Sequence, residues 1–168
     1  MKTANTFKTI FIVLCTLFIS VNINCQNPQI RVTSAPWTLN LTGEITEAGN
    51  DFIGTYTSPA DQEEIKIFGG GLNVNVLWTV SVSYQANNNW DSSIGILVRR
   101  TGDGTTNVNN GTISGGTTYQ QVGLIDQTFF EGRRRRDFIP IQYQLNNISV
   151  TIPAQLYNAT IYYTLTTL

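Results

Sequence analysis

The chain of 168 residues contains ten basic residues, eleven acidic residues and no histidine, and its formal net charge is −1. Without histidine it lacks the usual general base near neutral pH, the Ser-His and Cys-His nucleophile systems and the commonest metal ligand, so we predict a protein that is not an enzyme and has no cofactor. The negative balance also argues against nucleic acid as a partner, because binding to it depends on neutralising phosphates.

The first 25 residues differ from the rest of the chain. Lys2 and Lys8 precede an apolar run over residues 10–19. A helix needs about 20 apolar residues to cross a bilayer, so this run is too short to span one. A basic start followed by a short apolar run is typical of a secretory signal peptide. We therefore predict a signal peptide over residues 1–25 and a single domain over residues 26–168, secreted or at the outer cell surface, with the periplasm as an alternative.

Both cysteines, Cys15 and Cys25, lie in the predicted signal peptide. Cleavage after Cys25 would leave a domain with no disulfide, no thiol nucleophile and no thiolate metal site. Lipid modification of Cys25 is the alternative. Lys2 and Lys8 are removed with the signal, which leaves eight basic and eleven acidic residues and a net charge of −3.

Alternation of apolar and polar residues dominates the remaining sequence. Apolar side chains occupy every second position from Leu72 to Tyr84, which predicts a long strand with one buried face that includes Trp78. Shorter runs predict further strands around residues 37–41, 52–56, 65–67, 94–98, 139–145, 148–152 and 161–165. Glycine- and asparagine-rich turns separate them, and Asn146-Asn147 predicts a two-residue hairpin. About eight to ten short strands without an amphipathic helix predict an all-β sandwich or barrel.

Two features are candidate binding residues. Trp90 follows three asparagines, and an exposed aromatic there would stack on a sugar or anchor a protein partner. The alternative is that Trp90 begins the buried face of the next strand. The arginine tract, Arg133-Arg134-Arg135-Arg136, would bind an anionic glycan or a partner's acidic surface, or be cut by a trypsin-like protease. Its alternative is a solvated hairpin tip paired with Glu131 or Asp137.

Asp103 is a weak candidate calcium ligand, because calcium takes oxygen ligands from flexible loops. No second acidic residue follows at the expected spacing, so a turn-forming role is favoured and we predict no metal site. The acidic residues are scattered, and none stands out as the convergent pair that a glycosidase requires. Four sequons, at Asn40, Asn110, Asn147 and Asn158, matter only in a eukaryotic source.

The order of features after Ile139 is distinctive. An alternating strand is followed by a second run that ends at Pro153, a turn that contains Tyr157, and a last alternating strand over residues 161–165. This order resembles the C-terminal part of spore-coat-U-like and fimbrial-subunit-like secreted bacterial domains. The resemblance implies a single immunoglobulin-like antiparallel β-sandwich, and a surface or fibre subunit that works by strand complementation. Residues 26–33 would then be a donor strand, or else an ordinary edge strand or a disordered new N-terminus.

These observations favour a non-catalytic structural protein at the cell surface, a subunit or accessory of a pilus-like, fibre-like or secretion-associated assembly. Its partners would be itself or other surface proteins, and an anionic glycan is a further candidate. The alternative is a secreted module that binds glycan or protein through Trp90 and the arginine tract. A third hypothesis is a small hydrolase that uses paired carboxylates.

Overall fold

The computed structural model describes residues 27–41, 52, 54–70, 72, 75–87, 89–107 and 111–167, so the predicted signal peptide lies outside the described residues. In these ranges the chain forms ten β-strands and no helix. The strands are β1 (Gln29–Ser34), β2 (Thr55–Thr57), β3 (Glu63–Phe68), β4 (Leu77–Ala86), β5 (Gly95–Arg100), β6 (Thr112–Gly115), β7 (Gln120–Gln121), β8 (Gln127–Arg133), β9 (Arg136–Asn146) and β10 (Ala159–Thr167).

The strands form two sheets. One sheet has six strands in the order β1-β3-β9-β5-β7, with β2 pairing with β9 as well. The other has four strands in the order β10-β4-β8-β6. Every pairing is antiparallel, and the sheets pack face to face. The predicted all-β sandwich is confirmed, while its immunoglobulin-like character stays a prediction.

The core lies between the two sheets and follows the alternation of the sequence. In β4, Trp78, Val80 and Val82 are buried, and Trp78 is only 1% exposed. Buried isoleucines of β3 and β9 belong to the same core cluster. Each fully buried apolar side chain contributes about 1.5–3 kcal/mol relative to an exposed one, so this row holds the sheets together. The predicted core role of Trp78 is confirmed.

The long predicted strand begins later than the alternation suggests. The strand β4 starts at Leu77 and not at Leu72, and it continues to Ala86. Gly69, at the end of β3, has a φ of +113°, which turns the chain out of one sheet on its way to the other. Leu72 lies in this connection and is fully buried. Its side chain therefore fills the core from a loop, and alternation had indicated burial and not strand structure.

Two further strand predictions are wrong. Neither residues 148–152 nor residues 37–41 form a strand, although Trp37 packs partly buried against the core. The predicted hairpin at Asn146-Asn147 is absent because β9 has no free side there. Asn146 pairs with Thr55 of β2 and with Gly95 of β5. The chain leaves the sheet at Asn147, whose φ is +59°, and crosses to the other sheet as β10.

Candidate functional site

The arginine tract connects the two sheets. Arg133 ends β8 in the four-stranded sheet, and Arg136 begins β9 in the six-stranded sheet. The hairpin-tip interpretation is therefore wrong, because the flanking strands do not pair with each other. Arg134 has a φ of +64°, the left-handed conformation that lets the chain change direction between the layers.

Core contacts hold the backbone of the tract. The Arg134 amide donates to the carbonyl oxygen of Val76 at 3.2 Å. The indole Nε1 of Trp78 donates to the Arg134 carbonyl oxygen at 2.6 Å. The Arg134 guanidinium in turn donates to the Asn75 side-chain oxygen at 3.0 Å. The crossing is thus fixed to the start of β4 and is not a freely solvated loop.

The side chains of Arg135 and Arg136 also form contacts within the fold. Arg136 is 9% exposed, and its guanidinium donates to the Gly111 carbonyl oxygen at 2.6 Å. Arg135 donates to Asp137 at 2.9 Å, and Lys66 contacts the same carboxylate at 3.2 Å. The proposed pairing of the tract with Asp137 is therefore present. Binding of an anionic glycan or partner by the tract stays a prediction.

A β-bulge follows the tract and exposes an aromatic ring that sequence reasoning missed. Arg136 is opposite Ile67 and Ile139 is opposite Ile65, so two residues of β9 lie where β3 has only Lys66. One of them, Phe138, has a φ of +56° and is 58% exposed. A bulky side chain with a positive φ has no sequence signature, because the register shift that imposes it depends on the partner strand.

Trp90 is half-buried and packs against the core cluster. Its ring lies 6.1 Å from that of Tyr84, centroid to centroid. Asp91 accepts hydrogen bonds from the Ser93 amide and hydroxyl, which closes a local turn after the ring. The indole therefore contributes to packing from the loop before β5, which begins at Gly95, and its binding role stays a prediction.

Two shallow depressions lie on the surface. The larger, about 360 Å³, is lined by Gln85, Ala86, Asn87, Asn89 and Asn158. The smaller, about 180 Å³, lies on the outer face of the four-stranded sheet near Leu77 and Glu131. Asn89, which lines the first depression, directly precedes Trp90 in the sequence.

Asp103 pairs with an arginine. Arg100, at the end of β5, is 4% exposed, and it donates to the carboxylate of Asp103 and to the carbonyl oxygen of Gly115. No group of three His, Cys, Asp or Glu side chains that would suit a metal ion occurs in the described part of the chain. The calcium hypothesis therefore gains no support from the position of Asp103.

A chain of hydrogen bonds, the acid–tyrosine cluster, consists of Glu63, Tyr143 and Tyr163. The Tyr143 hydroxyl donates to Glu63 and lies 2.6 Å from the Tyr163 hydroxyl. Glu63 and Tyr143 belong to one sheet and Tyr163 to the other, so the cluster joins the layers. Sequence reasoning missed it because its members lie far apart along the chain.

The enclosed position of the acid–tyrosine cluster changes its titration. Burial raises the pKa of the Glu63 carboxyl, and the hydrogen bond from Tyr143 opposes this shift. Burial, followed by the neighbouring Tyr163 and Glu63, raises the pKa of Tyr143 far above its ordinary value. Burial likewise raises the pKa of Tyr163. Both phenols are therefore neutral at physiological pH and act as hydrogen-bond donors or acceptors.

The free edge of β10, termed the β10 edge, is the longest strand edge left open in the described residues. All nine residues of β10 pair with β4 on one side in an unbroken register. On the other side, no described strand pairs with it. The strand β1 of the other sheet contacts β10 without pairing with it.

The β10 edge lacks the usual protection of an edge strand. Its sequence, Ala-Thr-Ile-Tyr-Tyr-Thr-Leu-Thr-Thr, has no charge, proline or glycine. The other outer strands are shorter: β7 has two residues, β6 ends at Gly115 with a φ of +78°, and β1 carries Arg31. Proteins commonly protect edges by short strands, charges, prolines or bulges, because open backbone groups recruit other strands.

The inner row of the β10 edge is only partly covered. Ile161, Tyr163 and Leu165 face inward but are half-buried, whereas Trp78, Val80 and Val82 of the central strand β4 are buried. Val32, on the inner face of β1, is 37% exposed. Apolar surface therefore remains open between β1 and β10, on the side of the sandwich where a further strand would lie.

The predicted donor segment, residues 26–33, lies mostly in its own sheet. Residues 29–34 form β1 and pair antiparallel with β3 of the same chain. This is the edge-strand alternative, and Gln26 lies outside the described residues. The described part of the segment thus pairs within its own chain, and its donation to another subunit stays a prediction.

No family model matches this chain, and no curated protein or solved structure matches it either. The resemblance to spore-coat-U-like and fimbrial-subunit-like domains therefore stays a prediction. Among the described residues, no helix is both long enough and apolar enough to cross a membrane.

Proposed function

We propose that this chain is an exported, non-catalytic structural protein, a subunit or accessory of a cell-surface assembly. The observation that carries the proposal is the β10 edge: nine paired residues without charge, proline or bulge, open on one side among the described residues. An extended segment of another protein would add to this edge through main-chain hydrogen bonds. The half-covered inner row would supply the apolar contacts.

The predicted signal peptide over residues 1–25 supports export, and the uncharged surface of β10 suits a protein that works by association. A stable attachment through β10 would place a new strand beside Ile161, Tyr163 and Leu165. Each of these side chains is half-buried, and the new strand would bury more of its apolar surface. Burial of such surface stabilises association by about 25 cal/mol per Å².

The experiment compares the protein with the variant Tyr162→Lys/Thr164→Lys in the organism that encodes it. Both positions are exposed on the outer face of β10, so the fold should tolerate lysine there. We expect the variant to be exported but lost from high-mass surface material. The matched control is Thr112→Lys/Ser114→Lys, which adds the same charges to exposed positions of β6, the other edge of the same sheet. Equal incorporation of the two variants would contradict the proposal.

A binding module is the second candidate, and the amide-lined depression is the observation that favours it. Asn87, Asn89 and Asn158 present side chains that hydrogen-bond well to sugar hydroxyls. A glycan array with the protein and with Asn89→Ala tests this function. Binding that Asn89→Ala removes would support it, and an empty array would count against it.

The hydrolase hypothesis has less support. It needs two carboxyl groups that converge across a cleft. Among the described residues, Glu63 is the carboxyl group whose pKa burial raises, but its side chain accepts a hydrogen bond from Tyr143 between the sheets.

A further inference from the structure

We propose that the β10 edge pairs with the β10 edge of a second copy of this chain, antiparallel and centred on Tyr163. This inference rests on the proposed function, because it names the partner for the same edge. The two four-stranded sheets would then join into one continuous sheet across a two-fold axis. Such an interface is self-complementary, as closed symmetric dimers require.

The order of residues in β10 favours a second copy of this chain as the partner that pairs with the β10 edge. Tyr163 is the middle residue of the nine, so centring there pairs the whole strand. Ile161 then lies opposite the second copy's Leu165 on the inner face, and Tyr162 lies opposite its Thr164 on the outer face. Apolar side chains meet apolar ones, and aromatic meets β-branched, the cross-strand pairs that stabilise sheets.

Charge does not oppose this pairing. The strand has no ionisable group except its two tyrosines, and the pKa of Tyr163 is raised by burial, so two copies meet without like charges. Many edge strands carry lysine, which disfavours self-pairing. The added strand would also cover the exposed part of Val32 on β1. The same contact would therefore cover the apolar surface that remains open between β1 and β10.

The first test measures the mass of the exported, processed protein by sedimentation equilibrium over a range of concentrations. We expect a dimer, and we expect Tyr162→Lys/Thr164→Lys to weaken the dimer at least about tenfold, because like charges directly opposite each other are destabilising. The variant Tyr162→Lys/Thr164→Glu should restore it, since each lysine then faces a glutamate of the second copy. The β6 control, Thr112→Lys/Ser114→Lys, should dimerise like the unmodified protein.

The second test determines which residues of the two copies lie opposite each other, and it does not require the lysine variants to fold. In the proposed register Thr160 lies opposite the second copy's Thr166. Opposite residues in an antiparallel pair have Cα atoms about 4.5–5.5 Å apart, within reach of a disulfide. The domain beyond Cys25 has no native cysteine. A mixture of Thr160→Cys and Thr166→Cys proteins should therefore cross-link on mild oxidation, while neither variant alone should do so.

The outcomes separate this inference from the proposed function. A monomer at every concentration, or a dimer that the lysine pair on β10 leaves intact, would overturn self-pairing. If the protein is monomeric and Tyr162→Lys/Thr164→Lys still lowers its incorporation into surface material, the proposed function stands and the β10 edge binds a different protein. If the dimer forms through β10 but the lysine pair leaves incorporation unchanged, self-pairing stands and the proposed function fails.

Discussion

Gly132 of β8 lies directly opposite Trp78 of β4, and the indole occupies the space where a side chain would be. A Cβ atom at Gly132 would lie 2.4 Å from two ring carbons of Trp78 and 2.6 Å from the Thr112 carbonyl oxygen. Neither the buried ring nor the backbone of β6 can easily move away. The glycine therefore determines how closely the largest core side chain approaches the neighbouring strand.

From this relationship we predict that Gly132→Ala destabilises the fold by about 1–3 kcal/mol, the usual cost of overpacking a core. The matched control is Gly54→Ala, because a Cβ at Gly54 meets nothing within 4 Å. Chemical denaturation followed by tryptophan fluorescence measures both variants. A Gly132→Ala protein as stable as the control would contradict the packing described.

Period-two alternation predicted burial better than it predicted strands. Trp78 is both buried and in a strand, as predicted, whereas Leu72 and Trp37 are buried or half-buried in loops. Alternation records which side chains face the core, and a loop residue that fills the core can match the same pattern. Residues 148–152 alternate but form no strand. A hairpin there would have to pair with the end of β9, whose two sides are already paired with β2 and β5, strands that are distant in the sequence.

The buried polar contacts could not be predicted from the sequence, for a related reason. Arg100 is buried beside its bonding partners, Gly115 at the end of β6 and Asp103 in a loop, and the sequence does not show that the fold brings them together. Glu63 and Tyr143 lie on the strands β3 and β9, but their contact with each other and with Tyr163 depends on strand pairing and sheet packing that the sequence does not show. Only the open character of β10 has a local signal, since a long alternating strand without charge can be recognised from the sequence alone.

The buried guanidinium of Arg100 leads to a second prediction. Arg100→Met should destabilise the protein by about 1–3 kcal/mol, because carbonyl oxygens at this end of the sandwich lose their donor. The side chain of Asp103 is 65% exposed, and in Asp103→Asn the side-chain amide keeps an oxygen that accepts from Arg100. We expect Asp103→Asn to change stability by no more than about 0.5 kcal/mol. Urea denaturation of the two variants checks this asymmetry, and equal losses would contradict it.

Within the arginine tract, loss of a buried arginine should likewise cost more stability than loss of a partly exposed one. Arg136 is nearly enclosed and bonded to the Gly111 carbonyl, whereas Arg135 is half-buried and forms a more exposed ion pair. We expect Arg136→Ala to cost about 1–3 kcal/mol and Arg135→Ala at most about 1 kcal/mol. If the tract also binds an anionic glycan, Arg135→Ala should lower retention on a heparin column while thermal stability is kept. Equal destabilisation by the two variants would show that burial does not distinguish them.

The acid–tyrosine cluster predicts a pH dependence of stability whose sign follows from Glu63. Burial raises its pKa in the folded state above the ordinary value of 4.5, so the folded protein binds a proton more tightly than the unfolded chain does. The stabilisation from this proton is complete below 4.5 and is lost as pH rises through the folded pKa. Glu63→Gln removes the titration but keeps an oxygen that accepts from Tyr143. The unfolding free energy of the unmodified protein, relative to Glu63→Gln, should therefore decrease between a pH below 4.5 and neutral pH.

Urea denaturation of both proteins at these two pH values measures the difference. Tyr143→Phe is the control for the hydrogen bond, because it leaves the carboxyl of Glu63 enclosed without its donor. We expect this variant to be less stable than the unmodified protein at both pH values and to lose more at neutral pH, where the carboxyl is ionised. A relative stability of Glu63→Gln that does not change with pH would mean that Glu63 titrates as it does in the unfolded chain.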